Sequence, residues 1–271
     1  MISATIISDS LSPTNTRLTT MELTLHRYIL GELNTHRDFT RNGASSRARS
    51  TKKTIEEVKS NPAYPPTFPK EQLGMSGTEP VGNLKDAETE WQDAANSAVF
   101  HATNLANLNV HKSVVNRILE PFMWHTAVVT STEWDNFFNQ RLALRKDGKT
   151  LESDPAMYML ASKMKDALNN SKPKIVNYGN WHLPYVTKEE RTAFGTDLET
   201  LKKLSVARCA GVSYLNQNAN RSHDRDLELY SKLVSADPPH WSPFEHVACP
   251  SVLNKKYFNL HGWTSCRYLM S

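Results

Sequence analysis

The first residues, ATIISDSLS, alternate apolar and polar positions and are rich in β-branched side chains, which predicts a strand. The following run, TTMELTLHRYILGELNTHRD, changes period: Met21, Leu25, Ile29 and Leu33 fall at i, i+4 intervals, with Glu22, Arg27 and Glu32 around them. That spacing predicts one amphipathic helix. Residues 61–82, NPAYPPTFPKEQLGMSGTEPVG, are dense in Pro and Gly and read as an extended surface connection. Helices are expected over 86–108, over 111–118 ahead of Pro121, and over 132–144. In SDPAMYMLASKMKDAL, Asp154 followed by Pro155 signals a helix entry. Residues 171–192 read as loop and short strand, LETLKKLSVARCAGVSYL as a helix joined to a strand, and DRDLELYSKLVSAD as a helix. The stretch HWSPFEHVACPSVLNKKYF ends in strand-like texture. With no internal repeats, the pattern describes a single α+β domain, residues 1–271, with a helical middle.

Composition changes this picture little. Of 271 residues, 39% are hydrophobic, enough to fill a core. The formal charge of +4 is spread along the chain and weakly favours anionic partners. Three cysteines, odd in number and without metal-ligand spacing, point to a reducing compartment. The start MISATIISDSLSPTNTRL lacks a basic n-region and apolar core, and no run approaches the ~20 apolar residues of a membrane span, so a soluble, cytoplasmic protein is expected.

The densest chemistry lies in residues 35–49, THRDFTRNGASSRAR, where His36 and four arginines stand among hydroxyls, an Asn and a Gly. Three readings fit. It could be a solvated basic loop. It could be a nucleic-acid patch, although Phe39 is its one aromatic residue. Or it could be a phosphate pocket, in which hydroxyls and backbone amides hold oxygens while guanidinium forks neutralise them.

The segment THRDFTRNGASSR resembles the signature of flavin-dependent thymidylate synthases, R-H-R-x-x-S-x-N-E-x-S-x-R. His36, Arg37, Asn42, Ser45 and Arg47 match, and Thr40 stands for the first Ser. Thr35 replaces the leading Arg, and Gly43 replaces the Glu. NRILEPFMWHTAVVTSTEWDNFFNQR resembles the family's central segment, with its N-F-F-x-x-R ending intact; Trp124, Trp134, Phe137 and Phe138 are equally readable as plain core. VARCAGVSY resembles the flavin-contacting V-S-[YF] segment, and HWSPFEH the H-x-[ST]-x-x-E-H motif. Here these last two follow the basic segment, whereas in many family members they precede it, as in a circular permutation. Permutation is tolerable where termini lie close together at the surface.

The resemblance implies an α+β fold with a small mixed or antiparallel sheet, and reductive methylation of deoxyuridine monophosphate (dUMP) to dTMP. It implies FAD as cofactor, methylenetetrahydrofolate as carbon donor, NADPH as reductant, and a homotetramer with shared sites. Neither membrane nor nucleic acid is an expected partner. By the same resemblance Glu32, Ser45, Ser46 and Arg47 bind the nucleotide, while Thr35, His36, Arg37, Asn42, Ser213, Ser242 and Glu245 face the flavin, with His240 catalytic. No metal is expected, since Glu245 and His246 have no third ligand at a useful spacing. None of the cysteines sits beside a His, so no nucleophilic thiol is expected.

The family's A-Q-x-E-I segment and its uracil-side Arg have no counterpart in SDPAMYMLASKMKD. Lys163, Lys165 and Arg267 are the candidate cations for that place, and a lysine lacks the planar fork of an arginine. The departure leaves open a sister reaction that releases hydroxymethyl or uses another pyrimidine nucleotide. A non-catalytic nucleic-acid-binding paralogue is the rival from another class.

Overall fold

The computed structural model describes residues 1–73, 77, 79–148, 150–212 and 222–270. In chain order, β1 (Ser3–Leu11) and β2 (Arg17–His26) form a hairpin, followed by a 3-10 turn, α1 (Leu30–Leu33) and β3 (Thr40–Gly43). Next come α2 (Thr51–Ser60), α3 (Leu84–Asn107) and α4 (Lys112–Val115), and then β4 (Trp124–Ser131), α5 (Asp135–Arg141), α6 (Pro155–Asn170) and β5 (Lys174–Ile175). The remainder comprises α7 (Lys188–Phe194), α8 (Leu198–Gly211), α9 (His223–Ser235), a 3-10 turn at Ser242–Glu245, β6 (Ala248–Pro250), β7 (Lys256–Tyr257), β8 (Leu260–His261), β9 (Trp263–Ser265) and α10 (Cys266–Met270).

The main sheet is mixed, in the order β3-β4-β2-β1-β5, with β5 parallel to β1 and the other pairs antiparallel. The fold is therefore α+β, as expected, but the helix expected to begin at Thr19 is strand β2 as far as His26. Met21, Leu23 and Leu25 are all fully buried, and they pair with Val129, Ala127 and His125 on β4. A period of two accounts for all three, whereas the helical period leaves Leu23 on the polar side. Only Ile29 and Leu33 lie in helical turns, where they join the same core.

That core fills one face of the sheet, where α5 and α6 bury Phe137, Phe138, Met157, Leu160 and Met164 against β2 and β4. The α6 entry is as the sequence indicates: Asp154 accepts from the N–H groups of Ala156 and Met157, and Pro155 occupies the first turn. Helix α5 is shorter than the expected 132–144, because Ser131 Oγ accepts from Glu133 N–H and holds the strand exit as a turn. Likewise α4 gives way to a 3-10 turn, Asn116–Phe122, that runs through Pro121 rather than stopping before it.

The opposite face carries α8, the Ser242–Glu245 turn and β6 to β9. Arg208, buried in α8, ties three helices together: it donates to both carboxylate oxygens of Glu190 in α7 (2.6 and 2.5 Å) and to Asp226 in α9 (2.8 Å). The strand expected after α8 falls at residues outside those described.

Candidate functional site

Strand β3 is the sheet's edge, and its alternation divides the basic segment between two faces. Arg41 turns back toward α1, donating to the carbonyls of His36 (2.5 Å) and Leu33 (3.3 Å). Asn42 points the other way and donates to the carbonyl of Cys209 in α8 (3.3 Å). On the α1 side lies a pocket of about 320 Å³ whose polar lining includes Arg27, Arg41, Asn42, Ser45 and His125.

His125 defines the back of that pocket. Its Nδ1 lies 3.0 Å from the Arg27 guanidinium and so accepts; the ring proton then sits on Nε2, a buried atom without a partner among the described residues. Burial first, then Arg27 and Arg49, push its pKa down to about 3. Gly43 lies directly against it: a Cβ there would stand 2.6 Å from Nε2. Two guanidiniums and a hydroxyl converging on one cavity form a donor set suited to a phosphate ester.

The neighbouring residues of the segment have other partners. Ser46 is buried and donates to Glu120 (2.5 Å), so unlike Ser45 it does not line the pocket. Glu120 is shared with Arg27 at 3.4 Å, and Asn116 pins the turn by donating to the carbonyls of Ser46 (2.7 Å) and Arg49 (3.2 Å). Arg37 and Arg47 are exposed and form no ion pair among the described residues.

Thr35, His36 and Glu32 converge on Arg141, the last residue of the N-F-F-x-x-R stretch. Its guanidinium donates to His36 Nε2 (2.9 Å) and Thr35 Oγ1 (3.3 Å) and lies 3.5 Å from Glu32. His36 is pushed down to about 4 by burial, then by Arg141 and Arg41. It is a neutral acceptor packed edge-on to Phe137, with centroids 4.8 Å apart.

The Ser242–Glu245 turn packs against β3 from the opposite face, so segments about 200 residues apart in sequence meet at this edge. Glu245 pairs with Arg267, whose guanidinium also lies 5.6 Å from the Phe258 centroid. Ser242 and His240 are exposed, and the His240 backbone N–H donates to the Leu233 carbonyl (3.0 Å). Lys163 and Lys165 are exposed on α6; Lys165 Nζ stands 5.9 Å from the Phe138 centroid, and neither lines the β3 pocket. Ser213 lies outside the described residues.

Behind the turn runs a buried chain of hydroxyls and imidazoles that crosses the sheet. His246 Nδ1 meets Thr130 Oγ1 (2.8 Å), Thr130 meets Thr20 (2.7 Å), Thr20 meets His182 Nε2 (2.7 Å), and His182 Nδ1 meets Ser10 (2.7 Å). Burial holds both histidines at about 3, foremost among the causes at His182 and as the sole one at His246. Sequence reasoning missed Arg27, His125, Arg141 and His182 as functional candidates. Arg141 was visible at the end of a quoted motif, whereas Arg27 and His125 meet through the pairing of β2 with β4.

Among the described residues no cluster of three His, Cys, Asp or Glu could hold a metal, and no helix is long and apolar enough to cross a membrane. No protein-family model matches the sequence, and no curated protein matches it either. Among solved structures, the chain is similar to a UMP/dUMP methylase PolB from Streptomyces cacaoi bound with 5-Br dUMP: TM-score 0.50 at 12% identity, covering 62% of this chain and 90% of that one. The same methylase bound with 5-Br UMP gives a TM-score of 0.49 at 14% identity, over 72% of this chain and 95% of that one. A flavin-dependent thymidylate synthase from Helicobacter pylori complexed with FAD and dUMP gives 0.37 at 16% identity, over 56% and 67%. At 12% identity, the likeness to the first of these is one of fold.

Proposed function

We propose that this chain, taken as one functional domain over residues 1–271, is a flavin-dependent enzyme that transfers a one-carbon unit to carbon 5 of dUMP or a related pyrimidine nucleotide. The observation that carries the reading is the meeting at one sheet edge of the basic segment, which lines a phosphate-suited pocket on one face of β3, and the Ser242–Glu245 turn, which packs against its other face. A volume of about 320 Å³ is at the low end of the ~300–1,000 Å³ range of small-molecule sites and suits a mononucleotide.

In this reading Arg27, Arg41 and Ser45 grip the nucleotide phosphate, and Arg27 and Arg41 are held in place by their own hydrogen bonds before the ligand arrives. The remaining cationic surface, Arg37 and Arg47, and the exposed Thr35, His240 and Ser242 suit FAD phosphates and hydroxyls in donor chemistry. A flavin held there would supply the hydride, with NADPH as its reductant and methylenetetrahydrofolate as the carbon source. These outward-facing residues make sense when other copies close the site, which is the role of the homotetramer. Phe100, Leu108 and Val114, exposed on and beside α3 and α4, offer apolar surface for such assembly.

A hydroxymethyl product is the second reading, motivated by α6: its buried side chains are apolar, and its exposed Lys163 and Lys165 do not line the pocket. One experiment tests both. Purified protein is reconstituted with FAD and incubated with dUMP, methylenetetrahydrofolate and NADPH, and the nucleotide is weighed by mass spectrometry. A gain of one CH2 is the expected result. A further oxygen selects the second reading, while no flavin spectral change and no product overturn the proposal.

A further inference from the structure

At the opposite edge of the sheet, where β5 pairs with β1, lies a second cavity, of about 400 Å³. Four cations line it: Lys172 and Lys174 around β5, and Lys188 and Arg191 on α7. None of the four forms an ion pair among the described residues. Among the described residues, the Arg191 guanidinium donates to the Leu183 carbonyl (3.3 Å).

The lining contains one acid, Asp9, and it is already spent. Arg17 grips both of its oxygens (2.9 and 2.7 Å), Thr19 donates at 3.0 Å and Ser171 at 2.6 Å. With Asp9 neutralised by Arg17, the four cations around the cavity are left without a carboxylate partner among the described residues. A cationic cleft with low-dielectric walls raises the local concentration of anions. Ser10, on the same wall, is fixed by its contact with His182 (2.7 Å), so the polar surface is preformed. Trp181, Leu183 and Val186 supply an apolar wall beside the cations.

We propose that this cavity binds a phosphorylated small organic molecule, its phosphate held by Lys172, Lys174, Lys188 and Arg191 and its body laid on the Trp181 wall. The site is separate from the β3 pocket, with no lining residue in common. A diphosphate suits the spread of four cations from two elements better than a single carboxylate does.

The test uses inorganic pyrophosphate as the headgroup probe and amide hydrogen exchange as a local readout. Pyrophosphate should protect peptides spanning 171–177 and 186–192 in the full chain. The Lys174→Ser/Lys188→Ser double variant, altered at two exposed side chains, should need at least tenfold more pyrophosphate for the same protection. A Lys52→Ser/Lys59→Ser control on α2 should behave as the unaltered chain. Absence of protection in those peptides, equal protection in the first double variant, or equal weakening in the control each overturns the proposal. So does protection produced by a short oligonucleotide but not by pyrophosphate, since that would mark a nucleic-acid surface instead.

Discussion

At the scale of single residues, Gly43 and His125 decide the shape of the candidate nucleotide pocket. The basic segment departs from the flavin-dependent thymidylate synthase signature at Gly43, where that signature has Glu. The fold supplies a reason: any Cβ at this position meets His125 Nε2 at 2.6 Å, well inside van der Waals contact. His125 is a buried ring held by Arg27 and cannot swing aside cheaply. Gly43→Ala should therefore cost about 1–3 kcal/mol of stability, the usual range for overpacking. In the proposed reading it should also weaken nucleotide binding at least tenfold, by displacing His125 and with it the Arg27 guanidinium. Denaturant unfolding and nucleotide titration check the two effects, and a variant as stable and as tight as the parent would remove His125 from the pocket wall.

At the scale of elements, legibility followed how completely each element is covered. Helix α6 was readable because one face is apolar and its start carries a capping Asp and a first-turn Pro, both local signals. Strand β4 was not, because layers pack on both sides of it and its polar residues are buried, His125 Nδ1 and Thr130 Oγ1 finding partners inside the fold. Burial on both faces erases the alternation that marks a strand. Strand β2 was misread because Met21 and Leu25 satisfy both a period of two and a spacing of four. Leu23 separates the two: it belongs to the buried stripe of a strand and to the wet side of a helix. Leu23→Ala should cost about 2–5 kcal/mol, as for other large-to-small changes in a packed core. A loss below 1 kcal/mol in urea unfolding would contradict the strand. The same logic explains the site residues that were missed. Arg141 and the Thr35–His36 pair are neighbours only because α5 folds back beside α1, and Arg27 meets His125 only through strand register.

At the scale of the whole molecule, the fold keeps several imidazoles neutral within its packed layers. His182 and His246 tie the C-terminal layer to the sheet, His125 backs the pocket, and His36 joins α1 to α5. Their folded pKa values lie at about 3, 3, 3 and 4, below the ~6.5 of an unfolded chain. A depressed histidine pKa means that the unfolded state binds more protons between those limits, so stability rises with pH there. The contribution is complete above about pH 6.5 and is lost as pH falls toward 3 or 4. Each imidazole costs about 1.4 kcal/mol per pH unit in that window, or roughly 2 kcal/mol at pH 5. The carboxylates act lower. Glu190, held at about 2 chiefly by its hydrogen bond from Arg208, loses its contribution only as pH falls below the ordinary glutamate range. Between pH 7.5 and 5 the histidines therefore set the slope, against a total stability of only ~5–15 kcal/mol for a typical domain. Urea midpoints should fall steeply over that interval, and His182→Asn should flatten the slope while lowering stability at pH 7.5. Equal midpoints at pH 7.5 and 5 would mean that these rings are charged or solvated in the folded chain, and the buried link between the C-terminal layer and the sheet would have to be abandoned.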